Sequence, residues 1–194
     1  MSNKVRYNLK NVHYALLSLS EEGVVTFDTP VHIPGAVSVS MSPEGGTSTF
    51  HADGIAYYVS IANNGYSGDL ALALLPDEFR EKILNEVSDT TDKVLVEYSN
   101  REVKAFALMF EFDGDEKAIR HVMYNCKAAR PNVEGETVTE SKDPSTETLS
   151  LTASPLADGR VKAKTTADTT SAAYADWYKK VWEPTVGPGE EPED

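Results

Sequence analysis

Apolar and polar residues alternate with a period of two along most of the chain, which is typical of β-strands with one buried face. The clearest case is Val37–Met41, in which single serines separate the apolar residues. The same period predicts further strands at Val12–Leu16, Val24–Phe27, Ile55–Ile61, Leu70–Leu74, Val94–Tyr98, Val103–Phe112, Ile119–Cys126, Leu149–Ala153 and Val161–Thr165. The pattern therefore predicts a mainly β protein.

A helical period interrupts the strands once, at residues 76–87. Pro76 suits the first position of a helix, and two acidic residues follow it at the positive N-terminal end. Phe79, Ile83 and Val87 then recur every four residues, which predicts one apolar face laid against a sheet. We expect this face to share one buried cluster with strand residues, comprising Leu70, Leu72, Leu74, Phe79, Ile83, Phe106, Leu108 and Phe110. A second short helix is predicted within Ala172–Trp182.

A polar segment, Ser42–Asp53, separates two predicted strands. Its Gly45-Gly46 pair favours a flexible tip, and its serines and threonines offer little core of their own. Phe50 is its apolar exception. Long loops in compact domains are often functional, so the segment is predicted to be an extended arm. A solvated loop without a partner is the alternative.

Composition limits the classes of function. The chain has 194 residues, a formal net charge of -13 and a sequence pI near 4.7, which disfavour tight binding to nucleic acid phosphates. A single cysteine, Cys126, forms no internal disulfide and is predicted to be a core residue. The N-terminus lacks the apolar core of a signal peptide, and no apolar run is long enough to span a bilayer. We expect one domain over residues 1–170. Residues 171–194 are predicted to form an aromatic segment followed by an acidic tail, GPGEEPED, which has the composition of a disordered segment.

Candidate chemical groups do not form a recognisable catalytic pattern. The four histidines lack metal-ligand spacing, and the sequence contains neither a nucleophile elbow nor a phosphate-binding loop. Acidic residues at Asp113, Asp115 and Glu116 are explained by a hairpin turn as well as by a calcium ion. We therefore expect no enzyme activity and no catalytic, cofactor or metal residues. Trp177 and Trp182 either stack on a ligand or pack on the sheet.

Six segments of the chain can be compared with a known family: Lys10–Leu16, Val37–Glu44, Gly65–Phe79, Phe106–Phe112, Met123–Glu136 and Glu147–Ala153. Taken together, they resemble the major tail protein, or tail tube protein, of siphophages that infect Gram-positive bacteria. They occur in the same order as in that family and cover most of residues 5–165.

This resemblance implies an Hcp-like β-sandwich or half-barrel of antiparallel strands flanked by one α-helix. It implies a virion protein that assembles in the host cytoplasm into stacked hexameric rings, forming the tail tube through which DNA is ejected. Tape measure, tail terminator and baseplate proteins are the implied partners, with no membrane. The resemblance also implies that the arm reaches the adjacent ring, with contact residues Pro43, Glu44, Gly45, Gly46, Thr47 and Phe50.

The excess of acidic over basic residues leads to a hypothesis about the lumen of such a tube. An acidic wall lets DNA pass without being held, because lysine and arginine grip phosphates by releasing counterions. Asp69 and Glu111 are the predicted lumen-facing residues. An acidic outer surface that only keeps the protein soluble is the alternative. A different class of function also stays open, in which a β-sandwich binding module recognises a glycan or host protein.

Overall fold

The computed structural model describes residues 3–21, 23–135, 137 and 144–185. The strands are β1 (Arg6–Leu19), β2 (Val25–Phe27), β3 (Val31–His32), β4 (Ala36–Glu44), β5 (Thr47–Ala52), β6 (Ile55–Ile61), β7 (Gly65–Leu72), β8 (Val87–Ser88), β9 (Leu95–Val96), β10 (Phe106–Gly114), β11 (Ile119–Ala128), β12 (Glu147–Ala153) and β13 (Lys162–Lys164), with helices α1 (Asp77–Lys82) and α2 (Ser171–Asp176). The main sheet is antiparallel, with the strand order β2-β1-β10-β11-β12-β7-β4; β3 also pairs with β1 and β13 with β11. Two further pairs, β5–β6 and β8–β9, form separate two-stranded sheets.

Strand β10 lies inside the sheet, between β1 and β11, and is buried on both faces from Phe106 to Glu111. One face carries Phe106, Leu108 and Phe110, which belong to the larger core. The other carries Ala107 and Met109, which belong to a second core on the opposite side of the sheet. A strand with two buried faces needs a covering layer on each side, and the chain supplies both.

Helix α1 covers the first face. Phe79, fully buried, packs edge-on against the rings of Tyr14 and Phe106, with ring centroids 5.0 and 5.4 Å apart. The helix is shorter than the predicted 76–87 because Asn85 adopts a left-handed backbone with φ of 62°, which a continuing helix does not allow. The predicted helical residue Val87 instead begins strand β8.

The C-terminal segment covers the second face. Trp177 and Val181 are buried in a cluster with Met109, Val122 and Tyr124 of the sheet and Leu156 of the loop after β12. The boundary predicted at residue 170 is therefore not an end of the folded unit, since residues 171–181 complete its second core. The predicted acidic tail, residues 187–194, lies outside the described residues.

The predicted buried cluster is confirmed for seven of its eight residues. Leu74 is the exception, with 68% of its surface exposed. The chain leaves the sheet after Leu72, so the two-residue period no longer sets the direction of the following side chains. The predicted core position of Cys126 is confirmed, and burial raises the pKa of its thiol to about 12. The predicted fold class, an antiparallel β-sandwich or half-barrel, is also confirmed. The second short helix, predicted within Ala172–Trp182, is α2 and begins one residue earlier, at Ser171.

Replacing Phe110, which is 4% exposed, with alanine should lower the free energy of unfolding by about 3–5 kcal/mol, because it removes a buried ring and leaves a cavity. Denaturant titration measures the loss. Phe50, 60% exposed, is the matched control, and its alanine variant should lose less than about 1 kcal/mol. Equal losses for the two variants would contradict this assignment of the core.

His121 should make stability depend on pH. Burial, together with the nearby cations Arg6, Lys164 and Lys162, lowers the pKa of His121 to about 4. Protonation therefore favours the unfolded chain, and this contribution to stability is lost as pH falls from about 6.5 toward about 4. His121→Phe should flatten the unfolding free energy over this range by about 2–3 kcal/mol. An unchanged pH profile in the variant would show that His121 is not the responsible group.

Candidate assembly surface

A β-hairpin of strands β5 and β6, here called the arm, projects from the main sheet. The sequence predicted a polar loop over Ser42–Asp53 with Gly45-Gly46 at its tip, and both predictions are wrong. The tip is Asp53-Gly54, whose positive φ angles of 51° and 76° suit a tight hairpin turn. Residues of the expected loop form β5, because their backbone groups pair with the apolar strand that follows.

The arm continues the direction of the strand pair from which it arises. Strands β4 and β7 pair as far as Glu44 and Gly65, and β5 and β6 begin their own pairing at Thr47 and Ile61. Between them, the Ala62 amide donates to the Gly46 carbonyl at 3.0 Å and the Asn64 amide to the Glu44 carbonyl at 2.8 Å. The hydrogen-bonded ladder therefore runs with little interruption from the body into the arm.

Two glycines permit this junction. Gly45 has φ of 155°, and a Cβ atom there would lie 1.9 Å from the carbonyl oxygen of Ala62. Gly65 has φ of 105°, and its Cβ would lie 2.0 Å from the carbonyl oxygen of Ala153. Only glycine allows such close approach of backbones. The Gly45-Gly46 pair thus marks the root of the arm.

The arm exposes large apolar side chains that its own chain leaves uncovered. Four of them alternate along one face of β6, with exposed fractions between 51% and 79%: Ile55, Tyr57, Val59 and Ile61. On the other face, Phe50 and Tyr58 pair across the two strands and are 60% and 62% exposed. An isolated two-stranded hairpin is marginally stable in water, so this surface is expected to gain stability from a partner.

The predicted inter-ring residues all lie on or beside the arm. Pro43 and Glu44 end strand β4, Gly45 and Gly46 form the root, and Thr47 begins β5. Sequence reasoning missed the apolar row of β6, although it predicted the strand itself. The signal was present, because Ile55–Ile61 has large apolar residues on both of its faces.

The main sheet also offers an open edge beside the arm. Within the described chain, β4 pairs only with β7, so its outer side is an edge of the sheet. Pro43 lies in this strand, and proline is tolerated at sheet edges because it has no amide hydrogen to donate. Exposed edges readily pair with other strands unless they are blocked or covered.

Of the two predicted lumen residues, the structure leaves only Asp69 at the surface. Asp69 is exposed on β7 and accepts a hydrogen bond of 2.8 Å from the Ser150 hydroxyl. Glu111, by contrast, is 5% exposed, because the C-terminal segment lies over its face of the sheet. A side chain covered by its own chain cannot line a channel, so the prediction for Glu111 is corrected.

Glu111 instead holds the C-terminal segment against the sheet through hydrogen bonds. Its carboxylate accepts from Arg120 Nε at 2.9 Å, from Asn11 Nδ2 at 2.6 Å and from the Tyr178 hydroxyl at 3.2 Å. The Arg120 guanidinium lies 3.7 Å from the ring centroid of Tyr174 in α2 and also donates to its carbonyl. Burial, followed by the Glu111 charge, raises the pKa of Tyr178 well above its usual value. The buried charges are thus paired and hydrogen-bonded, as burial requires.

Removing Arg120 should be costly, since it leaves the Glu111 carboxylate buried without its cation. We expect Arg120→Leu to lower the free energy of unfolding by about 3 kcal/mol in denaturant titration. The double variant Glu111→Leu/Arg120→Leu should recover much of this loss, because no charge is left unpaired. If the double variant loses as much as the single one, packing of the arginine rather than its charge holds the segment.

Other candidate groups have structural roles. Trp177 is 3% exposed and packs on the sheet, with its ring stacked 6.2 Å from that of Trp182. Among the described residues, no three His, Cys, Asp or Glu side chains come together in a way that would hold a metal ion. Neither α1 nor α2, the helices of the described chain, has the length and apolar character needed to cross a membrane.

Comparison with known proteins identifies a shared fold. No family model matches the chain, and no curated protein matches its sequence. Among solved structures, the chain is similar to one from the cryo-EM structure of the anti-feeding prophage cap, a tube terminating cap. The two share 12% sequence identity with a TM-score of 0.50, and the match covers 84% of this chain and 94% of that chain. At this identity the similarity establishes the fold alone.

Proposed function

We propose that this protein is a structural subunit of a phage tail, the major tail tube protein that stacks as hexameric rings around the path of DNA ejection. The proposal rests on the exposed apolar surface of the arm. The arm exposes a row of large apolar residues at the end of an antiparallel body in which β4, within the described chain, pairs only with β7. Exposed apolar surfaces of this kind mark sites of interaction, and a second copy of the chain is a partner that is always available.

Two kinds of contact are needed for such a tube. Lateral contacts, made by strand edges such as β4, close a ring and remove edges that would otherwise promote aggregation. Axial contacts, made by the arm and including Pro43, Glu44, Gly45, Gly46, Thr47 and Phe50, join one ring to the next. Contacts of both kinds together should bury about 2,000 Å² or more per interface, as obligate assemblies do.

The proposed function also implies other components of the phage tail. Tape measure, tail terminator and baseplate proteins are the expected partners in the virion, after assembly in the host cytoplasm. DNA passes through the lumen without specific binding, and Asp69 is the remaining candidate for the acidic wall. The net charge of -13 supports a wall that does not hold phosphate.

A second candidate function is favoured by the fold comparison. A protein with the fold of a tube terminating cap can itself close the end of a tube instead of extending it. Such a cap would form single rings that stop growing. The glycan-binding alternative is less well supported, because Trp177, one of the two aromatic side chains suggested for it, is buried.

Trimming the arm separates assembly from folding. Residues Thr47–Ile61 are replaced by a short Gly-Ser link between Gly46 and Ala62, whose backbones already hydrogen-bond. Light scattering over a concentration series and negative-stain microscopy measure assembly. The intact protein should grow into tubes with a central channel, whereas the trimmed variant should keep its circular dichroism spectrum and form no tubes.

The remaining outcomes decide between the candidates. Single rings from the intact protein at every concentration would favour the cap. An intact protein that stays a folded monomer at high concentration would contradict both assembly functions. Normal tubes from the trimmed variant would show that the axial contacts lie outside the arm.

A further inference from the structure

The C-terminal segment packs on the second core through few buried side chains of its own. Helix α2 has six residues, and none of them is buried. Of the described residues after α2, Trp177 and Val181 are buried in the second core. A helix this short is not stable in water by itself. The segment therefore depends on its contact with the sheet for its structure.

This contact buries polar atoms that find no hydrogen-bond partner among the described residues. They are the indole Nε1 of Trp177 and the hydroxyl of Tyr124, both in the second core. A buried polar group without a partner is unfavourable, because it has given up its hydrogen bonds to water. Separation of the segment from the sheet returns both atoms to water. The contact is therefore easier to open than one in which every polar group is paired.

A histidine lies between the sheet and the segment. The ring of His13, on β1, stacks on the ring of Tyr178 in the segment, with ring centroids 4.5 Å apart. His13 also pairs with His32 of β3 across the ladder, with ring centroids 5.0 Å apart. Its Nδ1 lies 2.8 Å from the carbonyl oxygen of Asn11. His13 is thus half-buried, and the segment supplies part of its cover.

The charged groups around His13 leave no free anion for a second cation. Glu111 is the nearby carboxylate, and it already accepts hydrogen bonds from three groups, Arg120, Asn11 and Tyr178. The Arg120 guanidinium also lies 5.0 Å from the centroid of the Tyr178 ring. A proton on His13 therefore adds positive charge beside His32 and close to Arg120, against the single negative charge of Glu111.

These surroundings lower the pKa of His13 while the segment is in place. Burial is the largest cause, and His32 adds to it, against the opposing effects of the Asn11 carbonyl and the Glu111 charge. A histidine whose pKa is lowered in one form binds protons more readily in the form that frees it. Protons therefore favour separation of the segment from His13, in a pH window that begins near the ordinary histidine pKa of about 6.5 and extends downward.

We propose that the C-terminal segment is a pH-sensitive cover of the second core, which leaves the sheet when His13 becomes protonated. The proposal is independent of the function proposed above. Opening leaves the rest of the fold in place, because β1, β10 and β11 stay hydrogen-bonded to one another and the larger core lies on the opposite side of the sheet. It exposes the apolar residues of the sheet that the segment covers, namely Ala15, Ala107, Met109 and Val122.

Thiol labelling measures this opening. Ala107, buried in the second core, is replaced with cysteine, which behaves as a small apolar residue. The native Cys126 is buried in the larger core on the other side of the sheet and serves as the internal control. A pyridyl disulfide labels the folded protein over about pH 7.5 to 4.5. Each rate is divided by the rate for the same chain in denaturant at that pH.

The corrected labelling rate at position 107 should rise as pH falls from about 6.5, by up to about tenfold per pH unit, while Cys126 stays unlabelled. Adding His13→Gln to the Ala107→Cys variant should remove most of this rise. His51→Gln, on the exposed arm, is the matched control and should keep it. If Ala107→Cys does not fold, Ala15→Cys, its cross-strand neighbour in the same core, reports the same opening.

Three results would overturn the proposal. The first is a labelling rate at position 107 that does not change with pH. The second is equal labelling of position 107 and Cys126 at every pH, because the chain would then be unfolding as a whole. The third is a pH-dependent rate that His13→Gln leaves unchanged, because a different group would then control the cover.

Discussion

Double-sided burial of strand β10 is the constraint on which the rest of the structure depends. With Phe106 and Phe110 on one face and Met109 on the other, the strand is stable only when both faces are shielded from water. Helix α1 shields one face, and the C-terminal segment shields the other through Trp177 and the buried Glu111–Arg120 pair. The body is therefore complete within one chain, and its exposed apolar residues lie outside this central packing.

Much of the structure of this body can be predicted from the sequence alone. Alternation of apolar and polar residues over five or more positions indicates reliably which side chains are buried when the strand pairs with a strand on each side. Strands β10, β11 and β12 and the cluster around Phe79 were all predicted. Alternation does not report what covers the second face, so Glu111 was placed in the lumen although the C-terminal segment buries it. It also does not report where a strand ends, so Leu74 was predicted in the core. The helical period likewise does not report the left-handed backbone at Asn85, so the helix was predicted to extend to residue 87.

The arm is a second case in which the sequence pattern did not predict the structure. Its first strand is rich in serine and threonine, which favoured a loop, yet it forms hydrogen bonds to a strong neighbouring strand. Two glycine-containing pairs in this region could each form the hairpin turn. Only the tertiary structure shows that Gly45-Gly46 lies at the root of the arm and Asp53-Gly54 at its tip. Strand β6 itself was predicted, but its pairing in a separate hairpin was not, because the sequence alone does not reveal which sheet a strand joins.

The central claim is that another copy of the chain covers the arm. Hydrogen exchange of the β5 and β6 amides, measured in dilute monomer and in the assembled state, tests this claim most directly. The account predicts rapid exchange in the monomer, where the hairpin is only marginally stable, and strong protection after assembly, with β10 protected in both states. Equal exchange of the arm amides in the two states would contradict the account.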